Sequence, residues 1–333
     1  MAEFNFDFLL RILRVSVFYY GFGACLLWYL FSTGVPCSGW GAIWYAYGMA
    51  VICSALGYRL LHPPSKNKLD WNDEIVLITG GASGIGFMLA ETLAVRNIKT
   101  IVLDVNEVKS EHSMHFYRCD VAVSDQVSAV AEKIRKEVGN PTILINNAGI
   151  VIPNTILDAR IEDIERTLNV NLASQFWTIK EFLPSMIKNN HGHIVSISSA
   201  LGLVGAAQAA DYSASKAGII ALHDSLREEL ASRYPNVDNV HCSILIPGLI
   251  NTGMFAGVTH PLKFLLSTLE PSEVVQEIEA ILESNVGNEL KIPFYVNFTP
   301  LLRMAPNLVK NLAHKITGSN VALKKWRGKS KAQ

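Results

Sequence analysis

The sequence predicts an α/β protein with a doubly wound, mainly parallel sheet, preceded by an N-terminal hairpin of two apolar helices. Three observations carry this prediction. Short, continuously apolar runs alternate with helical patterns from residue 73 to about 296, as strands buried on both faces of a parallel sheet require. The first run opens directly into a turn with four glycines in seven residues, Gly80 to Gly86. From Val15 to Tyr58, 44 residues contain no Asp, Glu, Lys or Arg.

The uncharged region divides in two. A helix needs about 20 apolar residues to cross a bilayer, so there is length for two crossings. Pro36 and three glycines between Ser32 and Gly41 mark the turn between them. Arg11 and Arg14 lie near the start of the first segment, while Arg59, Lys66 and Lys68 follow the second. The turn has no basic residue, so the positive-inside rule places both ends, and the domain that follows, in the cytosol. A hairpin dipping into one leaflet satisfies the same charges. A cleaved signal peptide fits less well, because the run is long, no clear small-x-small cleavage site follows it and a second apolar segment comes at once. Six aromatic residues between Tyr19 and Phe31 argue against buried helices of a soluble domain. Residues 1–64 are therefore expected to form a membrane anchor. Residues 65–72, after His62-Pro63-Pro64, read as a linker.

The domain expected over residues 73–296 begins with the strand Ile75–Thr79, the glycine turn and a helical pattern through Glu91 to Val95. A second strand, Thr100–Asp104, ends in an acid. This order of strand, glycine turn, helix, strand and acid is the Rossmann unit that cradles a dinucleotide. The glycines let the backbone approach the pyrophosphate, which sits at a helix N-terminus where free N–H groups favour negative charge. Asp104 lies 18 residues beyond Gly86, where a carboxylate takes ribose hydroxyls and repels a 2′-phosphate. No Arg or Lys lies in the turn or just after Asp104, so NAD(H) is expected over NADP(H). The plainer reading of Asp104 is a cap in the following loop.

Strands are then expected at residues 115–119, 142–145, 193–198 and 240–246, with helices at 126–138, 161–188 and 212–233. On the last helix, Tyr212 and Lys216 are four residues apart and share a face. An ammonium near a phenol is expected to lower its pKa from about 10, which suits Tyr212 to exchange a proton with a carbonyl or alcohol oxygen.

The motifs together make residues Asn72 to Val296 resemble the short-chain dehydrogenase/reductase family. They are T-G-x-x-x-G-x-G at Thr79–Gly86, N-N-A-G at Asn146–Gly149 and N-V-N at Asn169–Asn171. Y-x-x-x-K stands at Tyr212–Lys216, with Ser199 thirteen residues upstream, and P-G-x-x-x-T at Pro247–Thr252. The resemblance implies that Gly80, Gly84 and Gly86, with Ser83 and Ile85 between them, hold the pyrophosphate. It assigns Asp104 to the ribose, Asp120 and Val121 to the adenine, Asn147 to the cofactor cleft and Thr252 to the nicotinamide amide. Ser199, Tyr212, Lys216 and Asn171 become the catalytic group, with Tyr212 and Lys216 also reaching the cofactor. The activity implied is hydride transfer between a nicotinamide cofactor and an alcohol or its carbonyl compound.

Outside these motifs, His191 and His193 read as structural and Cys119 and Cys242 as core thiols. The five cysteines show no metal-binding spacing. The segments Gly253–Phe255 and Leu262–Leu266 form an apolar cover suited to a lipophilic substrate, or simply core packing. Residues 297–333 form a basic, partly amphipathic tail: nine Lys or Arg and no acid lie from Lys291 to the end. Beside an apolar anchor, such a tail points to a membrane surface and not to nucleic acid. Anchor, domain and tail together are similar to the retinol and 17-beta-hydroxysteroid dehydrogenase branch, implying a retinoid, steroid or other lipid substrate at the endoplasmic reticulum or lipid droplets. Lys329-Ser330-Lys331-Ala332-Gln333 resembles a K-x-K-x-x retrieval signal of endoplasmic-reticulum membrane proteins. A homodimer stays open. The rival readings are an NADP(H)-dependent lipid ketone reductase, which Asp104 disfavours, and a catalytically silent membrane scaffold, which the intact Ser199–Tyr212–Lys216 set disfavours.

Overall fold

The computed structural model describes residues 69–258, 262, 266–318, 323 and 326. The expected hairpin and the first half of the linker, residues 65–68, lie outside the described residues, as does the retrieval-like C-terminus. Among the described residues, no helix is long and apolar enough to cross a membrane.

Seven strands form one sheet: β1 Ile75–Thr79, β2 Lys99–Asp104, β3 His115–Arg118, β4 Ile143–Asn146, β5 Gly192–Ile197, β6 Val240–Pro247 and β7 Glu289–Ile292. Their order is β3-β2-β1-β4-β5-β6-β7 and every pairing is parallel. The doubly wound sheet expected from the sequence is present, with β7 as an added edge strand. The helices are α1 Gly84–Val95, α2 Ser124–Glu137, α3 Ile161–Leu168, α4 Ser174–Asn189, α5 Ala200–Leu203 and α6 Ala210–Arg233, followed by α7 Pro271–Ser284, α8 Thr299–Met304 and α9 Asn307–Thr317.

Alternation along the strands builds a core on each face of the sheet. On one face Leu77, Leu103, Leu144 and Ile194 pack with Ile134 of α2, Phe182 and Met186 of α4 and Leu226 of α6. On the other, Val76, Ile78, Ile145 and Leu245 pack with Leu89 and Leu93 of α1 and Ile278 and Leu282 of α7. Strands buried on both faces have no polar side, which is why they read as unbroken apolar runs.

One helix expected over residues 161–188 is interrupted. Asn169–Ala173 winds as a π-helical turn between α3 and α4. Such a turn accommodates one extra residue and re-aims the side chains on it. Here it carries Asn171 inward, where its carboxamide makes the bonds described below.

Toward the amino ends of the strands, polar side chains tie neighbours together, with Glu74, His193 and Ser243 buried. Glu74 accepts a hydrogen bond from Thr142 Oγ1, and its other carboxylate oxygen lies 2.9 Å from His191 Nε2. His193 Nε2 lies 2.8 Å from Ser243 Oγ on β6, and its ring meets that of His241 edge-on at 5.6 Å. These placements agree with the structural reading of both histidines. Burial, and then the neighbouring His241, push the His193 pKa down to about 3.

This generates an acid-stability prediction. Unfolded, residue 193 takes up a proton below about pH 6.5; folded, it stays neutral down to about 3. The stability that neutral His193 contributes is therefore present above pH 6.5 and is lost progressively as pH falls toward 3. Thermal unfolding of the full chain in detergent should show a larger drop in Tm from pH 7 to pH 5 for wild type than for His193→Gln. Equal drops would place the proton uptake elsewhere.

Candidate active site

A cavity of about 1640 Å³ opens at the carboxyl ends of the strands. The strand order reverses there between β1 and β4, the switch point at which ligands bind in open parallel sheets. Gly80, Ser83, Gly84, Ile85, Asp104, Asp120, Val121 and Asn147 line one part of it; Ser199, Tyr212, Lys216 and Thr252 line another. Of the site residues expected from the sequence, Gly86 and Asn171 stand behind this lining.

The first part is built on backbone geometry. Gly80 and Gly84 have φ of +68° and +59°, the left-handed region that favours glycine. Gly86 permits a close approach: a Cβ there would fall 2.4 Å from Gly80 O and 2.5 Å from Asn147 Nδ2. Asn147 donates through that same nitrogen to Thr79 O at 3.0 Å and Gly80 O at 3.1 Å. Its side chain thus braces the turn from β4. Ser83 caps α1 in an extended conformation without a side-chain hydrogen bond to the helix, leaving the first N–H groups of a 12-residue helix to face an anion. A Cβ on Gly84 would meet nothing within 4 Å. The open cradle and bare helix start fit a dinucleotide pyrophosphate.

Both acids are held by hydrogen bonds. Asp104 Oδ2 accepts from Ala82 N at 3.0 Å and Oδ1 from Asn106 N at 2.9 Å, fixing the carboxylate between the glycine turn and the following loop. The loop-capping geometry and the cavity position therefore coexist in one residue. Asp120 accepts from Ala122 N at 3.0 Å and pairs with Arg166 Nη1 of α3 at 2.7 Å. Arg166 also lines the cavity. Its pairing spans 46 residues, so no local motif could have flagged it.

At the other part, three elements meet. Ser199 caps α5, its Oγ accepting from Leu201 N at 3.2 Å, and its side chain is close enough to the Tyr212 phenol to act on its pKa. Gly202 lets α5 lie against α6, since a Cβ there would sit 2.7 Å from the carbonyl carbon of Lys216. Lys216 is buried; its Nζ donates to Ile197 O at 2.9 Å, where β5 ends, and lies 5.7 Å from the Tyr212 ring centroid. Burial pushes the lysine down to about 8. The Tyr212 phenol is raised to about 12 by burial, against which the nearby Ser199 side chain acts in the lowering direction. The downward shift expected from the Tyr-Lys spacing is therefore absent. The ammonium bonds to a backbone carbonyl, and desolvation of the phenolate dominates.

Asn171 is fully buried. Its Oδ1 accepts from Ile150 N at 2.8 Å, and its Nδ2 donates to Ile150 O and to Ser215 Oγ, each at 3.0 Å. It joins the segment after β4 to the residue before Lys216, a positioning geometry. The expected apolar cover is present in part. Phe255 meets the Tyr212 ring edge-on, centroids 5.9 Å apart, while residues 263–265 lie outside the described residues. Leu323 and Trp326 of the tail also line the cavity, which the sequence reading missed. Cys119 and Cys242 are buried thiols, their pKa values pushed up to about 11 and 12 by burial, as core cysteines are.

Comparison with known proteins agrees with this geometry. Residues 74–263 match the family described as short chain dehydrogenase. Epidermal retinol dehydrogenase 2 of Mus musculus is 37% identical over 265 residues, covering 76% of this chain and 84% of that protein. Estradiol 17-beta-dehydrogenase 11 of Pongo abelii is 34% identical over 240 residues, covering 69% and 78%. Among solved structures, a 4-hydroxyisoleucine dehydrogenase in complex with NADH superposes with a TM-score of 0.60 at 23% identity, covering 66% of this chain and 97% of that one, a likeness of fold.

The glycine cradle makes a direct prediction. Gly86→Ala places a methyl group against a backbone oxygen that cannot yield, so overpacking should cost about 1–3 kcal/mol. The variant should unfold at lower temperature and bind NADH several-fold more weakly, read by calorimetry and titration. Unchanged binding would show that the cradle does not carry the dinucleotide.

Proposed function

The chain belongs to the short-chain dehydrogenase family and is an oxidoreductase, and on that premise we propose that it interconverts a lipophilic alcohol and its carbonyl compound using NAD(H) at a membrane surface. The observation that carries this reading is the meeting of Ser199, Tyr212 and Lys216 on the wall of a cavity whose neighbouring lining is apolar. The dinucleotide, when bound, supplies or accepts the hydride. Asp104, with no cation beside it in sequence, favours an unphosphorylated ribose and hence NAD(H).

The residues divide the remaining work. With a pKa near 12, Tyr212 is a phenol at neutral pH and holds a proton for a carbonyl oxygen. Ser199 lines the same part of the cavity as Tyr212, which suits it to donate to the same substrate oxygen. Oxidation needs the phenolate, and Lys216, on the same helix face, is the cation available to stabilise it. Its charge fades above about pH 8. The walls formed by Val151, Leu201, Met254 and Phe255 exclude water and suit an apolar substrate body, such as a retinoid or steroid alcohol. The relatives' names point to the same class of compound.

A membrane setting draws on two features. The first is the uncharged stretch within residues 1–64. The second is α8 and α9, which expose Leu301, Met304, Leu308, Leu312 and Ile316 among Arg303, Lys310 and Lys315. Met304 and Leu308 are 84% and 81% exposed, and no acid follows Glu289, a pattern suited to an anionic lipid interface. We place the enzyme at the endoplasmic reticulum or lipid droplets, its catalytic domain in the cytosol.

Two experiments test this reading. With retinoid, steroid and fatty alcohols, wild type should turn over faster with NAD than with NADP. Tyr212→Phe should lose about 10²–10⁴-fold in rate, the usual contribution of a general acid/base, while binding NADH normally. Comparable turnover in the variant, or a preference for NADP, overturns the corresponding part.

In intact microsomes, protease should remove a C-terminal tag without detergent, and Asn297, in an Asn-Phe-Thr sequon, should carry no glycan. Residues 1–64 fused to a fluorescent protein should reach the endoplasmic reticulum or lipid droplets. A protected, glycosylated C-terminal domain would mean a single crossing and a lumenal active site.

A further inference from the structure

The wall beside Tyr212 is drawn from four distant parts of the chain. Val151 follows β4, Leu201 lies on α5, Met254, Phe255 and Val258 follow β6, and Leu323 and Trp326 come from beyond the last helix. Leu323 is buried in the same apolar cluster as Tyr212, and both tail residues line the cavity. Two hydrogen bonds fix them there. The Trp326 indole N–H donates to Met254 O at 2.7 Å, and Trp326 N donates to Leu323 O at 3.1 Å. A tryptophan whose polar atom is satisfied by a main-chain carbonyl turns its remaining ring surface into apolar wall. Nothing in a basic tail announces this. A run of lysines and arginines reads as a solvated or membrane-facing segment, yet two apolar residues within it are seated at the candidate catalytic tyrosine.

We infer that Leu323 and Trp326 are specificity-determining residues that form the wall against which the apolar body of the substrate packs while its oxygen faces Tyr212 and Ser199. This rests on the lipophilic-alcohol reading above. Near this wall the cavity offers polar chemistry at Tyr212 and Ser199 and apolar surface around them, so it selects a molecule with one terminal hydroxyl or carbonyl on a rigid or extended hydrocarbon frame. A small alcohol would be held through its oxygen alone and would not sense the tail. Apolar contacts of this kind discriminate substrates by about 10–200-fold for each methylene gained or lost, so removing an indole should affect bulky substrates by at least about 10-fold.

The test uses the full chain in phosphatidylcholine nanodiscs with NAD. For Trp326→Ala and Leu323→Ala, kcat/KM for retinol should fall at least about 10-fold, chiefly through KM, while cyclohexanol turnover and NADH affinity stay near wild type. Trp326→Phe, which keeps an aromatic wall but loses the bond to Met254, should recover most of the retinol activity. A second readout needs no turnover: energy transfer from protein tryptophan to bound retinol should drop sharply in Trp326→Phe. Equal losses for both alcohols, or a loss of NADH binding, would mean that the tail residues only support the fold and would overturn the inference. Unchanged transfer in Trp326→Phe would overturn it too. If wild type turned over neither alcohol while transfer from Trp326 persisted, the wall would stand and the proposed substrate reading would fall.

Discussion

A buried ammonium has to be solvated by the protein, and Lys216 is given the carbonyl of Ile197. Much of the candidate site follows from that contact. β5 must end where it does for the carbonyl to point at the lysine, and α6 must run close across the end of the strand. Ser198 reinforces the crossing by donating its hydroxyl to Lys216 O at 2.8 Å. Ser199, next in the chain, then caps α5, and Gly202 lets that short helix rest on α6. The serine and tyrosine are brought to one cavity wall by the same packing that buries the lysine. Asn171 adds the last brace, through Ser215. Burial also carries an electrostatic consequence: it drives the lysine toward neutrality and the phenol away from ionisation, so the cavity stores a proton on Tyr212 until something occupies it.

The fold was legible because its information is local. A strand buried on both faces announces itself as an unbroken apolar run, and the turn after β1 needs glycines for steric reasons that a sequence displays directly. The Tyr212–Lys216 spacing is a helical repeat, readable without any tertiary knowledge. The edge strand β7 escaped because its four residues, Glu289–Ile292, alternate charge with apolar character and make no continuous run.

What stayed illegible depends on distance along the chain. The ion pair of Asp120 with Arg166 joins a loop to a helix 46 residues away. The break in the helix after Leu168 arises because Asn171 is satisfied by Ile150 and Ser215, which only the assembled fold brings near it. The Tyr212 pKa departs from what the spacing implies for a related reason. Spacing showed that a lysine lies close, but not that its ammonium is spent on a carbonyl, nor how thoroughly the phenol is dried. Likewise the tail's composition reported its charge and concealed the placement of Leu323 and Trp326.

Because all seven strands run the same way, the sheet has two chemically unlike ends. Toward the amino ends, the buried Glu74 joins the partly buried Thr142 and His191, and buried His193 meets buried Ser243, stitching β1, β4, β5 and β6 together. At the carboxyl ends lie the turn, the acids and the catalytic candidates, mounted on loops and helix starts. Cohesion and selectivity are therefore written in separate sets of residues. Loop and tail residues that face the cavity can change without touching the polar contacts that hold the strands in register.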